Sequence, residues 1–217
     1  MDREMIIKIT EDRRILVQES DGLSLTHKEI EPQAFYDCIR NSLKHDGISS
    51  GLLPEGCFHF SVDANGTRHV AMEYRALYAD ITYEKTSYSD FPIPKMVFLF
   101  GVDQDGRITR REIGVTENKK ITLNSKMYIY PLSNVTGFNI CIGSNPLPKI
   151  EKLTQLAGIP QYILSMPNND DHYSSDKNKL GLESRALYEH LKDKDTAYYY
   201  SDVLMESGKT MKDFINY

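Results

Sequence analysis

The sequence predicts an α+β fold, with an antiparallel meander sheet in its middle and helices before and after it. Three observations support this. Apolar and polar residues alternate at Phe58, Phe60 and Val62, and again at Phe138, Ile140 and Ile142, which is the period of a half-buried strand. Two segments with hairpin-turn chemistry, Asp63-Ala64-Asn65-Gly66 and Asp105-Gly106, separate neighbouring strands, and hairpins make antiparallel pairs. On either side, Phe35, Cys38, Ile39 and Leu43, and then Ile150, Leu153, Leu156 and Ala157, recur at helical spacing.

Taken in order, residues 5–10 and 14–19 read as two short strands around Glu11-Asp12-Arg13, a hairpin. Glu31-Pro32 opens a helix, since proline suits the first helical position. Cys38 lies on its apolar stripe and reads as a core thiol. A loop covers 46–51. Strands follow near 57–62 and 68–74, joined by the Asn65-Gly66 turn. Residues 75–90 are rich in tyrosine and carry no clear period. Phe91-Pro92-Ile93-Pro94 leads into a near-continuous apolar strand, 96–102, which returns through Asp105-Gly106 to a strand at 107–115. After a polar connection, 117–125, a strand at 126–130 is stopped by Pro131, which has no N–H for a ladder.

A polar turn, Ser133 to Gly137, precedes the second alternating stretch. If that stretch is extended, Phe138, Ile140 and Ile142 face the core, and Cys141 faces outward with Asn139. Asn145-Pro146-Leu147-Pro148 then leads into a helix over 148–157, ended by Gly158 and Pro160. Residues 168–179 are the most polar of the chain and read as a loop. Leu182, Ala186, Leu187 and Leu191 predict another helix, and 212–217 a short final one. The organisation expected is an N-terminal hairpin and helix, 1–50, packed on a main domain, 51–217, that ends in a helical extension.

Composition narrows the function. The net charge of −5 argues against a broad electrostatic surface for nucleic acid, and none is expected as a partner. No apolar run approaches the roughly 20 residues that span a bilayer. The start, Met1-Asp2-Arg3-Glu4-Met5, has acids where a secretory signal has bases and then a long apolar run, so the chain reads as cytoplasmic. Cys38, Cys57 and Cys141 are far apart, with no Cys-x-x-Cys pair, and the six histidines show no ligand spacing, so no metal site is expected. Cys57 has the same outward parity as Cys141. It follows Leu52-Leu53-Pro54-Glu55-Gly56, however, and lacks an Asn-turn companion. From the residues alone, Cys141 is either a small residue closing a strand end or a nucleophile beside the Asn134 turn.

Several motifs stand in a telling order: Leu52-Leu53-Pro54, Phe91-Pro92-Ile93-Pro94, Tyr128-x-x-Pro131-Leu132-x-Asn134-Val135, and Cys141-x-Gly143. Their order and spacing over about residues 50–165 resemble the core of the ubiquitin-conjugating (UBC-like) superfamily. They are most similar to its prokaryotic family D, which includes members from PRTRC plasmid-associated systems. The resemblance implies a UBC-like antiparallel meander flanked by helices, with the N-terminal hairpin and helix as an extension. It implies a transferase that carries a ubiquitin-like protein as a thioester on a catalytic cysteine, Cys141, and passes it to an amine or thiol. The implied partners are the ubiquitin-like modifier and a ThiF-like adenylating enzyme. That enzyme would use the ATP, so no cofactor is expected in this chain.

The same resemblance matches Asn134 to the family asparagine, an oxyanion donor or a holder of the loop. It matches His172 to a histidine that follows the helix, a candidate base expected to lie near Cys141. Asp170 and Asp171 are supporting candidates to orient His172 or an incoming amine, and Pro131 opens the turn. The alternative for the 170–172 trio is a solvated loop. There are two departures. Pro131-Leu132-Ser133-Asn134 replaces the usual His-Pro-Asn, and the interval from Asn134 to Cys141 is one residue shorter than in the eukaryotic enzymes. Alternative functions are a non-catalytic UBC-like module that binds a ubiquitin-like protein, and a protein that assembles a plasmid- or mobile-element-encoded complex.

Overall fold

The computed structural model describes residues 4–12, 14–20, 25–42 and 49–216. The chain divides into two compact units, residues 1–49 and 50–217. In the first, β1 (Glu4–Ile9), β2 (Ile15–Ser20) and β3 (Leu25–Ile30) form an antiparallel sheet in that order, followed by α1 (Pro32–Ser42). β1 and β2 are the expected hairpin, with Ile7 opposite Val17 and Ile9 opposite Ile15. β3 goes beyond it. Leu25-Thr-His-Lys-Glu-Ile30 has little apolar alternation, and its pairing with β2 sets Ile30 against Ile15. The Cys38 side chain, Arg13, Leu43 and residues 46–48 lie outside what is described.

The second unit is built on an antiparallel meander. β4 (Cys57–Val62), β5 (Arg68–Tyr74), β8 (Met96–Val102) and β9 (Ile108–Thr116) lie side by side in that order. The Asp63–Gly66 and Asp103–Gly106 turns close the two hairpins as their sequences suggest, with Gly66 and Gly106 N–H groups donating to Asp63 and Asp103 carbonyls. Between β5 and β8 the chain leaves the sheet for a second hairpin, β6 (Tyr78–Tyr83) and β7 (Thr86–Pro92). This hairpin is the tyrosine-rich stretch that carries no clear period. One of its faces is buried, and Tyr83 and Tyr88 both stack on Tyr188.

All seven residues of β8 are buried. Its unbroken apolar run is needed because both faces of the sheet are covered. Met96, Phe98, Phe100 and Val102 enter a large core with the second hairpin and the helices. Val97 and Leu99 enter a smaller one with Ala71, Met127, Phe138, Met211 and Phe214. β10 (Lys126–Tyr128) extends the sheet from β9 and pairs in turn with β14 (Glu206–Thr210), which leads into α4 (Met211–Ile215).

Three expectations are corrected. The helix foreseen over 148–157 is instead an irregular stretch, a 3-10 turn (Leu153–Gly158), and then α2 (Ile159–Ser165). Gly158 and Pro160 open α2 rather than ending a helix. Proline fits a first turn because the N–H it lacks would have no partner there. The strand through Cys141 is shortened to β12 (Asn139–Ile140), paired with β11 (Val135–Thr136). It stops because Arg111 Nε donates to the Ile140 carbonyl, 3.1 Å, in place of a ladder partner. The 168–179 segment holds β13 (Pro167–Asn168) at its start, in parallel pairing with β6, and a 3-10 turn at Ser175–Lys177. α3 (Ser184–Leu191) forms as expected. Among the described residues no helix is long and apolar enough to cross a membrane.

Candidate active site

β11 and β12 form a two-residue hairpin against β9, turned by Gly137 and Phe138, the former at φ +60°. Where the ladder ends, Asn134 and Cys141 still face each other, and the Cys141 N–H donates to the Asn134 carbonyl at 2.8 Å. Asn134 has φ +61°, a left-handed conformation that asparagine tolerates better than most residues. The turn before it, Pro131, Leu132 and Ser133, is buried. Pro131 therefore anchors the turn in the core and is not itself exposed.

The left-handed kink at Asn134 links the Cys141 hairpin to a second segment. The Asn134 N–H donates to the Asp171 carbonyl at 3.0 Å, and its side-chain amide donates to Asn168 Oδ1 at 3.4 Å. Asn168 is held in turn: its Nδ2 donates to the carbonyls of Thr82 and Met166, and its own carbonyl accepts the Glu84 N–H. The 167–171 segment is thus fixed to the second hairpin, and Asn134 fastens the Cys141 turn to it.

Between the two segments lies a cleft of about 210 Å³. Cys141, Asn134, Ser144 and Asn145 line one part, Asn168, Asn169 and Asp171 another, and Ile140, Ile163, Leu164 and Met166 supply apolar lining. Cys141 is half-buried there. Asp171 is the one charged residue among those that line the cleft. Its carboxylate accepts the Asn169 amide at 2.8 Å, and its N–H donates back to Asn169 Oδ1.

Of the residues singled out in the sequence, the structure brings Cys141, Asn134 and Asp171 to one cleft. Asp170 is occupied elsewhere: Tyr83 Oη donates to it at 2.5 Å. That bond holds the Asp170 carboxyl below its ordinary range, while burial and the facing carboxylate push the Tyr83 phenol up to about 12. His172 is exposed, at φ +56°, and is not among the residues that line the cleft. Its carbonyl accepts the Lys177 ammonium. Among the described residues no three His, Cys, Asp or Glu side chains converge in a way that would hold a metal ion.

Asn168 and Asn169 line the cleft and carry no sequence signal for it, and neither does Tyr83, which holds Asp170 beside that segment. Asn168 and Asn169 stand in a polar run that reads as solvated, and Tyr83 reads as ordinary packing. Fold and site together define a mixed α+β protein, mostly antiparallel, with a cysteine and an asparagine paired across the mouth of a short hairpin. Comparison with protein-family models, curated proteins and solved structures finds no match to this chain.

Proposed function

We propose that this chain is a ubiquitin-conjugating-like acyl transferase with a UBC-like main domain. Cys141 attacks the adenylated C-terminus of a ubiquitin-like protein supplied by a ThiF-like activating enzyme. A thioester forms and AMP leaves. An amine or a second thiol then attacks the thioester carbonyl, the acyl group moves to it, and the Cys141 thiolate departs. The observation that carries this reading is the pairing of a half-buried Cys141 with Asn134 on a cleft, with the Cys141 N–H on the Asn134 carbonyl. The chain order of meander, Pro131–Asn134 turn, cysteine and following helix supports the UBC-like assignment.

Roles follow from the contacts. Cys141 is the nucleophile. Asn134 holds the turn through its backbone, and its side-chain amide lies in the cleft as a donor for the oxyanion. Asp171, on the cleft, orients an incoming amine. Asp170 braces the wall through Tyr83, and His172, exposed and outside the lining of the cleft, follows Asp171 along the chain as the candidate base. The test has two steps: charging with activating enzyme, modifier and ATP, then a chase with free lysine on non-reducing gels. Cys141→Ser should abolish the reducible adduct. Asn134→Ala should charge and then discharge about 100- to 1000-fold more slowly. Discharge at the wild-type rate would strip Asn134 of its role.

A second reading, a module that grips a ubiquitin-like protein without forming a thioester, is favoured by one observation. The residues lining the cleft include no Lys, Arg or His to stabilise a thiolate. Failure of the wild type to charge with an active enzyme and its cognate modifier, together with retained binding of that modifier, would select this reading.

A further inference from the structure

The Cys141 hairpin meets the 167–172 segment along one line of backbone. The Asn134 N–H donates to the Asp171 carbonyl at 3.0 Å. One residue further on, that pattern cannot continue. Val135 pairs with Ile140, next to the hydrogen-bonded Asn134 and Cys141, and bonded and non-bonded pairs alternate, so the Val135 and Ile140 carbonyls point out of the hairpin. The Val135 carbonyl and the His172 carbonyl are both within bonding reach of one nitrogen, the Lys177 ammonium, which donates to Val135 at 2.7 Å and to His172. Two acceptors cannot bond each other, and the ammonium between them turns a repulsive pair into a link. We propose that Lys177 is a positioning residue for the cleft: by bridging these two carbonyls, it extends the Asn134–Asp171 contact by one residue and fixes the Cys141 hairpin against the segment that carries Asp171 and His172.

A lysine suits this place. Its ammonium carries three donors on one compact group, so it can meet two carbonyls at once. Its backbone is fixed: Lys177 closes the 3-10 turn Ser175–Lys177, and its N–H donates to the Ser174 carbonyl at 3.1 Å. The charge stands half-buried, where burial lowers the pKa and the neighbouring Asp176 raises it. The other outward carbonyl of the pair is held in the same way, since Arg111 Nε donates to Ile140 at 3.1 Å. Each side of the Val135–Ile140 pair is thus bonded by a cationic side chain, one from β9 and one from the 3-10 turn. The hairpin has two residues on each strand, and among the described residues β11 pairs with β12 alone, so few ladder bonds share the work. The bridge itself does not depend on the thioester reading; that its loss slows acyl transfer rests on that reading.

The experiment compares the full-length wild type with three variants. Lys177→Met keeps the apolar stem and removes the donors, and Lys177→Arg keeps charge and donors. Lys179→Met is the control, an exposed lysine whose ammonium lies 3.5 Å from the Ser201 carbonyl. Two readouts need no partner protein: hydrogen exchange at the Asn134 and Cys141 amides, and brief alkylation of Cys141 against Cys57. In Lys177→Met the two amides should exchange at least about tenfold faster, and Cys141 should be labelled faster, while the β8 amides and Cys57 keep their wild-type rates. Lys177→Arg should recover most of the wild-type behaviour, and Lys179→Met all of it. The third readout is the charge-and-chase assay, in which Lys177→Met should charge normally and discharge to free lysine at least about tenfold more slowly. Unchanged exchange at Asn134 and Cys141 in Lys177→Met, no recovery in Lys177→Arg, a rise shared by the β8 amides, or discharge at the wild-type rate would each overturn the proposal. Failure of the wild type to charge would count against the thioester reading, and exchange and labelling would then decide the bridge by themselves.

Discussion

Cys57 and Cys141 are both half-buried thiols beside strands of one sheet, yet their surroundings differ in kind. Cys57 opens β4 inside a ladder, opposite Met72, and its S–H donates to the His59 carbonyl of its own strand at 3.4 Å. Burial pushes its pKa up. The residue before it, Gly56, is clamped: a Cβ there would stand 2.5 Å from the Glu73 carbonyl oxygen, and the Glu73 N–H donates to the Gly56 carbonyl. Cys141 lies one residue past the end of its ladder, on a cleft, and a Cβ at the nearby Gly143 would meet nothing within 4 Å. Side-chain parity is the same for both. What separates a packed thiol from an available one is whether the backbone around it is committed to the sheet.

The largest expected effect breaks or upholds that contrast directly. Gly56→Ala combines a left-handed φ of +77° with a backbone clash and should cost about 3 kcal/mol or more in urea denaturation. Gly143→Ala, at φ +55° in open space, should cost only about 1–2 kcal/mol. Similar losses at the two positions would mean that the cleft side is as tightly bound as the ladder.

Thiol reactivity is the next test. With a raised pKa and its S–H on a carbonyl, Cys57 has less thiolate at neutral pH, and each pKa unit is about tenfold. Brief limiting alkylation followed by peptide mass spectrometry should label Cys141, on its cleft, faster than Cys57. Faster labelling of Cys57 would reverse the assignment of the nucleophile.

The smallest effect sharpens the contrast at the cleft wall. Tyr83→Phe removes the hydroxyl that holds Asp170 and should cost about 1 kcal/mol at neutral pH. The Asp170 pKa in the folded chain is depressed below the ordinary 3.8. Its contribution to stability is therefore complete above that value and is lost as pH falls through the lower folded one. The gap between wild type and Tyr83→Phe should accordingly close in acid, below about pH 3.8. As a comparison, Tyr88→Phe removes a similar bond, to Glu189, away from the cleft. Only Tyr83→Phe should alter the labelling rate of Cys141. Equal effects of the two variants on that rate would detach Tyr83 and Asp170 from the site.

Much of the second unit is legible in the sequence, because its signals are local. The alternation at 57–62, the Gly66 and Gly106 turns, and the unbroken apolar run of β8 each follow from the period or chemistry of neighbouring residues, and the hairpins between them dictate antiparallel pairing. Pro131, Asn134 and Cys141 are likewise marked by their order along one short stretch. The signals that mislead are also local. Gly158 and Pro160 fit the end of one helix as well as the start of another, and only the packing of Ile159, Ile163 and Leu164 into the core decides which. Tertiary structure alone decides the cleft. It sets Asn168 on Thr82 and Asp170 on Tyr83, pairs separated by 86 and 87 residues, and it turns the chain at Asn134 so that Asp171 and Cys141 are bound to the same backbone unit. Such contacts form between polar side chains with no period of their own. Their partners are chosen by where the second hairpin leaves the sheet, and no local pattern in the chain records that.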